Sequence, residues 1–344
     1  MNILKNTNLL TRSNRSRKRK IPPKTARERL QEFWDIFDKE DDVLVVISAD
    51  PDALASAMAV KRLLRYKVKN VLIGYPNEVR RLSNITMMER LRIQAERLKD
   101  LKSQEYSKYV LIDSQPLHNP CFEELNYDVV IDHHPLTKGW DATYVDIRPE
   151  YGATASMMVE YLRAAGMKPS VALATALFYA IKVDTRNFEK KSLLADGVSF
   201  RYLFNIANKN LVRKIELSEL RMSELNYFKT AFEAMKINNQ RLYAHVGRVR
   251  NPDILVIIAD FFNRVHEVSW VFVSGIYGER LVVIFRCDGY KKNAGTLAAK
   301  TFGELGAAGG HREAARAEVL LKNLPKQDQD FDTITLRRMT RRHL

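Results

Sequence analysis

The chain of 344 residues carries 56 Lys and Arg against 41 Asp and Glu, a formal net charge of +15, with 46% hydrophobic and 28% charged residues. That length suits two domains with separate cores, and the sequence has no apolar run near the roughly 20 residues that span a bilayer, which excludes a membrane-spanning protein. The N-terminus lacks an apolar signal core, and Cys121 and Cys287 form no metal or redox motif, so the expectation is a cytoplasmic protein with no membrane partner.

Residues 1–24 hold eight Lys or Arg and no acid, and read as a basic disordered arm suited to nucleic-acid phosphates. A solvated tail with no partner fits the same composition. Thr25 is placed to cap a helix through Asp38, with Leu30, Trp34 and Phe37 on one face. A strand Val43–Ser48 leads to Asp50-Pro51-Asp52 and a helix from Ala53 to Leu64, whose early Ala and Ser residues allow close approach to a sheet. A strand Val71–Gly74, a helix from Ser83 to Leu101 and a strand Tyr109–Ile112 ending at Asp113 follow. The run Val129–Ile131 enters Asp132-His133-His134-Pro135, and a strand Thr143–Asp146 precedes helices over 153–165 and from Ser170 to Asp184. This alternation predicts an α/β fold over residues 25–197, a mostly parallel sheet with helices on both faces.

Residues 198–240 contain no Gly or Pro and read as a helical connector. A second, smaller α/β domain over 241–325, across a cleft from the first, begins with a strand Leu242–Val246 and a helix Pro252–Val265. Strands Val268–Val273 and Leu281–Phe285 flank a Gly275-Ile276-Tyr277-Gly278 hairpin turn. A helix over 294–305 leads into a glycine-rich loop, Gly306–His311, and a last helix covers Glu313–Leu321. Residues 326–344 are a C-terminal tail.

Several hydrophobic segments thus end in Asp or His, which implies one crevice lined with metal ligands. Clustered carboxylates with histidines and no cysteine suit manganese, magnesium or iron rather than structural zinc. Carboxylates merely capping helices at strand ends would account for Asp50 or Asp52, less readily for Asp113, Asp132, His133, His134 and Asp184 together. Arg286, ending a strand, reads equally as a phosphate clamp or as a surface residue.

Asp50-Pro51-Asp52-Ala53-Leu54-Ala55-Ser56, Asp113, Asp132-His133-His134 and Asp184-Thr185, in this order, resemble the motifs of the DHH phosphoesterase superfamily. Gly309-Gly310-His311 is similar to the glycine-rich motif of the DHH-associated domain, so the resemblance spans residues 40–322. That superfamily includes single-strand exonucleases, oligoribonucleases, adenosine bisphosphate phosphatases, cyclic dinucleotide phosphodiesterases and manganese-dependent pyrophosphatases. The resemblance implies hydrolysis of a short RNA or DNA oligonucleotide, or a small nucleotide, by a metal-activated water, with manganese the first choice of cation. It implies metal ligation by Asp50, Asp52, Asp113, His133 and Asp184, with Asp113 bridging two ions. It puts Asp113, Asp132 and His134 in the catalytic set and Gly309, Gly310 and His311, with Arg286, at the substrate. A homodimer is left open.

One departure counts against activity. The family pattern has a histidine four residues before Asp50, and this chain has Val46. Loss of that ligand implies a weakened first metal position, and an impaired nucleotide- or nucleic-acid-binding regulator as the alternative function.

Overall fold

A computed structural model describes residues 24–76, 78–101, 106–189, 192–328 and 330–341. The expected basic arm lies outside the described residues apart from Lys24. The chain divides into two compact units, Met1–Glu216 and Leu217–Leu344.

The first unit opens with α1 (Ala26–Trp34), closed at its start by a reciprocal Thr25–Glu28 capping box. Its sheet comprises β1 (Asp42–Ile47), β2 (Asn70–Tyr75), β3 (Glu96–Arg97), β4 (Lys108–Ile112), β5 (Val129–Asp132) and β6 (Tyr144–Ile147). The helices are α2 (Pro51–Leu64), α3 (Leu82–Leu91), α4 (Pro120–Glu123), α5 (Thr154–Ala164), α6 (Val171–Asp184), α7 (Leu194–Phe204) and α8 (Lys209–Glu216). The strand order is β3-β2-β1-β4-β5-β6 and every pairing is parallel. The chain builds outward from β1 in one direction, then returns to add β4, β5 and β6 on the other side. Ligands gather at the carboxyl ends of strands beside such a reversal.

The central strands read as unbroken apolar runs because both faces are covered. Val43, Val45 and Ile47 join a core with α1, α2, α3, α5 and α6. Leu44, Val46, Leu111 and Val130 face the other way, against Phe122, Tyr127 and the flanking Leu98, Leu101 and Trp140. Ala53, Ala55, Ala57 and Ala59 of α2 are fully buried, so that helix lies close to the strands. The helix expected to reach Leu101 stops earlier: Arg92 turns left-handed (φ 54°), and Glu96–Arg97 pair with Gly74–Tyr75 as an edge strand. The reason is packing, since Leu91 serves one face of the sheet while Leu98 and Leu101 serve the other.

The second unit contains α9 (Leu225–Ala234), β7 (Lys236–Asn238), β8 (Arg241–Arg248), α10 (Asp253–Phe262), β9 (Trp270–Tyr277), β10 (Arg280–Cys287), α11 (Ala294–Phe302), β11 (Gly306–Gly310), β12 (Ala314–Leu320) and α12 (Thr333–Arg341). Its sheet runs β11-β12-β10-β9-β8-β7, antiparallel except where β8 meets β9. α9 and α10 cover one face, and α11 and α12 the other.

Four expectations are corrected here. Residues 313–321 form strand β12, not a helix, with Ala315, Ala317 and Val319 buried at a period of two. The glycine-rich segment is edge strand β11 rather than a loop. The hairpin turns at Gly278 (φ 57°), since β9 runs on through Tyr277. The C-terminal segment carries helix α12, with Leu336 fully buried. The stretch expected as a connector falls on both sides of the division after Glu216, α7 and α8 in the first unit and α9 in the second.

Candidate metal centre

The turn after β1 delivers two carboxylates. Asp50 caps α2, its Oδ1 accepting from the Ala53 N–H at 3.0 Å, and Pro51 takes the first helical position where no N–H is needed. Asp52 is buried, and its two oxygens accept from the Thr154 and Ala155 N–H groups, both at 2.7 Å. Those donors are the first turn of α5, whose positive end favours the carboxylate.

Asp113 follows β4 in a left-handed conformation (φ 60°), which costs energy in a non-glycine residue and turns the side chain away from the strand. Its N–H donates to the Ile131 carbonyl at 2.9 Å, and its Oδ1 accepts from the Thr154 hydroxyl at 2.7 Å. Asp132 ends β5 fully buried; its Oδ1 takes the His134 Nδ1–H and the His133 N–H, each at 2.8 Å. Its Oδ2 accepts from Gln115 Nε2 at 2.7 Å. Gln115 in turn accepts from the Thr137 N–H and hydroxyl, which ties down the loop after the two histidines.

His133 is the centre of the arrangement. Its Nδ1–H donates to the Tyr151 carbonyl at 3.2 Å. Its Nε2 is buried with no hydrogen-bond partner, yet stands 3.2 Å from Asp184 Oδ2, 3.7 Å from Asp113 Oδ1 and 4.0 Å from Asp52 Oδ2. A ring nitrogen with its proton held on the far side, facing three carboxylates, has the donor set of a divalent cation site. Asp52, His133 and Asp184 are spaced to hold one ion, as are Asp113, His133 and His134.

The charges agree with that reading. Burial pushes the Asp113 carboxyl well above its usual range, and Asp52 and Asp50 push it further. Asp52 rises to about 7 for the same reason, against the pull of His133, and burial and Asp184 raise Asp50. Burial opposes protonation of His133, but Asp184 and Asp52 carry it up to about 9. Asp132 goes the other way: burial would raise it, and hydrogen bonds from His134 and Gln115 hold it below the ordinary value. Crowded carboxylates with no cation retain protons, and a divalent ion displaces them.

Several contributors were not visible as motifs. Gln115, Thr154 and the Tyr151 carbonyl each fix an expected site residue. Segment 151–155 contacts His133, Asp113 and Asp52 alike, and Asp196 anchors it by accepting from the Gly152 N–H at 2.9 Å. His118, which has no family spacing, lies beside His134 with ring centroids 5.6 Å apart. A polar residue two positions after Asp113, and a Thr opening a helix, were the available signals.

Val46 is fully buried and pairs with Gly74 and Leu111. Its side chain belongs to the cluster opposite α2, whereas Asp50 caps α2 itself. The position is a core position.

In the second unit, Gly309 and Gly310 lie on β11 and His311 just after it is exposed. A Cβ at Gly310 would collide with the Ala314 carbonyl, while Gly309 faces open space. Gly310 is therefore demanded by the strand pairing and Gly309 is not. The first N–H groups of α11 already donate to the His311 and Arg312 carbonyls. Arg286 is engaged by Asp260 at 2.6 Å, the arrangement of a surface ion pair.

Residues 42–181 match the family model described as DHH family, N-terminal domain. An uncharacterized protein of Methanocaldococcus jannaschii is 33% identical over 280 residues, covering 81% of this chain and 58% of that protein. The chain thus spans little more than half that relative's length. An exopolyphosphatase-related protein from Bacteroides fragilis is similar in structure, with a TM-score of 0.64 at 15% identity over 92% of this chain and 96% of that one. RecJ of Thermus thermophilus, solved in complex with Mn2+, gives a TM-score of 0.50 at 15% identity over 94% and 56%. At such identities the likeness is one of fold. Among the described residues no helix is long and apolar enough to cross a membrane.

Proposed function

We propose that this chain, which belongs to the DHH family by its match over residues 42–181, is a divalent-metal-dependent phosphoesterase acting on short oligonucleotides or small nucleotides. The observation that carries this is the partnerless His133 Nε2 facing Asp52, Asp113 and Asp184. Asp50, Asp52, Asp113, His133 and Asp184 would hold the cation or cations, manganese first and magnesium or iron as alternatives. Such ions supply Lewis acidity toward a water and neutralise charge at the phosphoryl group.

The protein's own groups do the positioning. Thr154 and the first turn of α5 aim Asp113 and Asp52. Asp132 accepts the His134 Nδ1–H and raises the affinity of the ring for a second proton, so the imidazolium can donate its Nε2–H to substrate phosphate or pass that proton to the departing oxygen. Gly309, open to close approach, and His311 are the contacts offered by the second unit.

The test is a hydrolysis panel of short RNAs, cyclic dinucleotides, adenosine bisphosphate and pyrophosphate with manganese present. Turnover of at least one nucleotide, lost on chelation, is the expected result. A protein that binds manganese and nucleotide yet turns over none of them would instead be an impaired binding protein.

A further inference from the structure

The second unit carries a surface that this chemistry does not use. α12 turns Thr333, Leu336 and Thr340 inward, and Thr333 Oγ1 accepts from the His245 N–H at 3.0 Å. The helix is therefore a fixed platform on β8. Its outer face presents Ile334, Arg337, Arg338 and Arg341 around an open concavity of about 560 Å³. These positions recur at helical spacing, so they form one stripe. Thr333–Arg341 hold three arginines and no Asp or Glu.

We propose that this face of α12 binds the phosphate backbone of a single-stranded polynucleotide. Arg337 and Arg341 stand one turn apart, about 6 Å along the axis, a step suited to successive phosphates. Guanidinium groups fork onto phosphate oxygens and stack on bases, and Ile334, 67% exposed, offers an apolar spot for a base. A bilayer surface fits less well, because membrane-bound helices need a broad apolar face opposite their cations. The choice of polynucleotide over other polyanions rests on the phosphoesterase reading above.

The test uses the full chain, a fluorescent oligouridylate and a chelator, with anisotropy read across a salt series. Arg337→Gln with Arg341→Gln should reduce the magnitude of the log K against log salt slope by about 1.4, at about 0.7 per lost phosphate contact. Lys300→Gln with Lys322→Gln, two exposed lysines elsewhere on the unit, should leave it unchanged. An unchanged slope in the arginine pair, or an equal fall in the lysine pair, overturns the proposal. So does loss of binding to phosphatidylserine vesicles with RNA binding retained, which would assign the face to a membrane. A wild type that binds through α12 but hydrolyses nothing with manganese would sink the phosphoesterase reading alone.

Discussion

Asp113 of the first unit is 6% exposed and is gripped by Thr154 and by the backbone of β5. His311 of the second unit is exposed and is held through its backbone, its N–H on the Ala314 carbonyl and its carbonyl accepting from the Gly295 N–H. The two regions answer different demands. Carboxylates that share a cation repel one another until it arrives, so each is fixed by donors beforehand. A group proposed to meet substrate has to stay open, and Gly309 beside His311 is a glycine that nothing inside the fold requires. Arg286, closed off by Asp260, resembles neither.

The contrast breaks first at Asp113. Asp113→Ala should abolish tight manganese binding and hydrolysis while circular dichroism shows the fold intact, if Asp113 has the proposed role of a carboxylate shared by two ions. Unchanged metal stoichiometry by calorimetry would remove the premise that the buried rim is the cation site. A smaller loss is expected at Thr154. Removing its hydroxyl in Thr154→Val should weaken manganese about 10- to 100-fold, and Thr154→Ser should restore it; equal affinities in both variants would show that the bond to Asp113 is incidental.

Val46→His tests whether the missing family ligand can be put back. Because the side chain faces the core opposite α2, the imidazole should cost about 1–3 kcal/mol of stability and recruit no further metal. A rise in tightly bound metal would place that side chain on the wrong face of β1 in this account.

The pH dependence sharpens the same contrast. Without cation, Asp52 and His133 hold protons more tightly when folded than when unfolded. The stability this gives is full below their ordinary values of 3.8 and 6.5, and is lost as pH rises through about 7 and about 9 respectively. The melting temperature of cation-free protein should therefore fall as pH is raised across that window, and added manganese should recover more of it at the alkaline end. A flat profile would mean that these groups are not forced together. The smallest effects belong to the second unit. His311→Ala should raise KM with metal affinity unchanged. Asp260→Asn should alter stability by no more than about 1 kcal/mol, and should tighten substrate binding only if the freed Arg286 is a phosphate clamp.

The first unit was legible where burial on both sides writes itself as a continuous run. Val43–Ile47, Val110–Ile112 and Val129–Ile131 are strands for that reason, and the aspartates that end them lie together. What holds those aspartates was not legible. Thr154 reaches Asp52 across 102 residues, and no local pattern records such a bond. Segment 313–321 misled because Ala and Glu favour helices, whereas pairing with β10 and β11 made it a strand. Val46 misled because spacing within a motif does not say which way a strand side chain points.

The long reach between Asp52 and the start of α5 has a consequence for how the molecule comes into being. Loop closure over such a separation is slow compared with forming any single helix. A chain leaving the ribosome has Asp50, Asp52 and Asp113 long before Thr154 and Asp184 exist to join them. On the proposed function, cation capture therefore belongs to the end of folding in the first unit, and a growing chain would stay chemically silent until its sheet has closed.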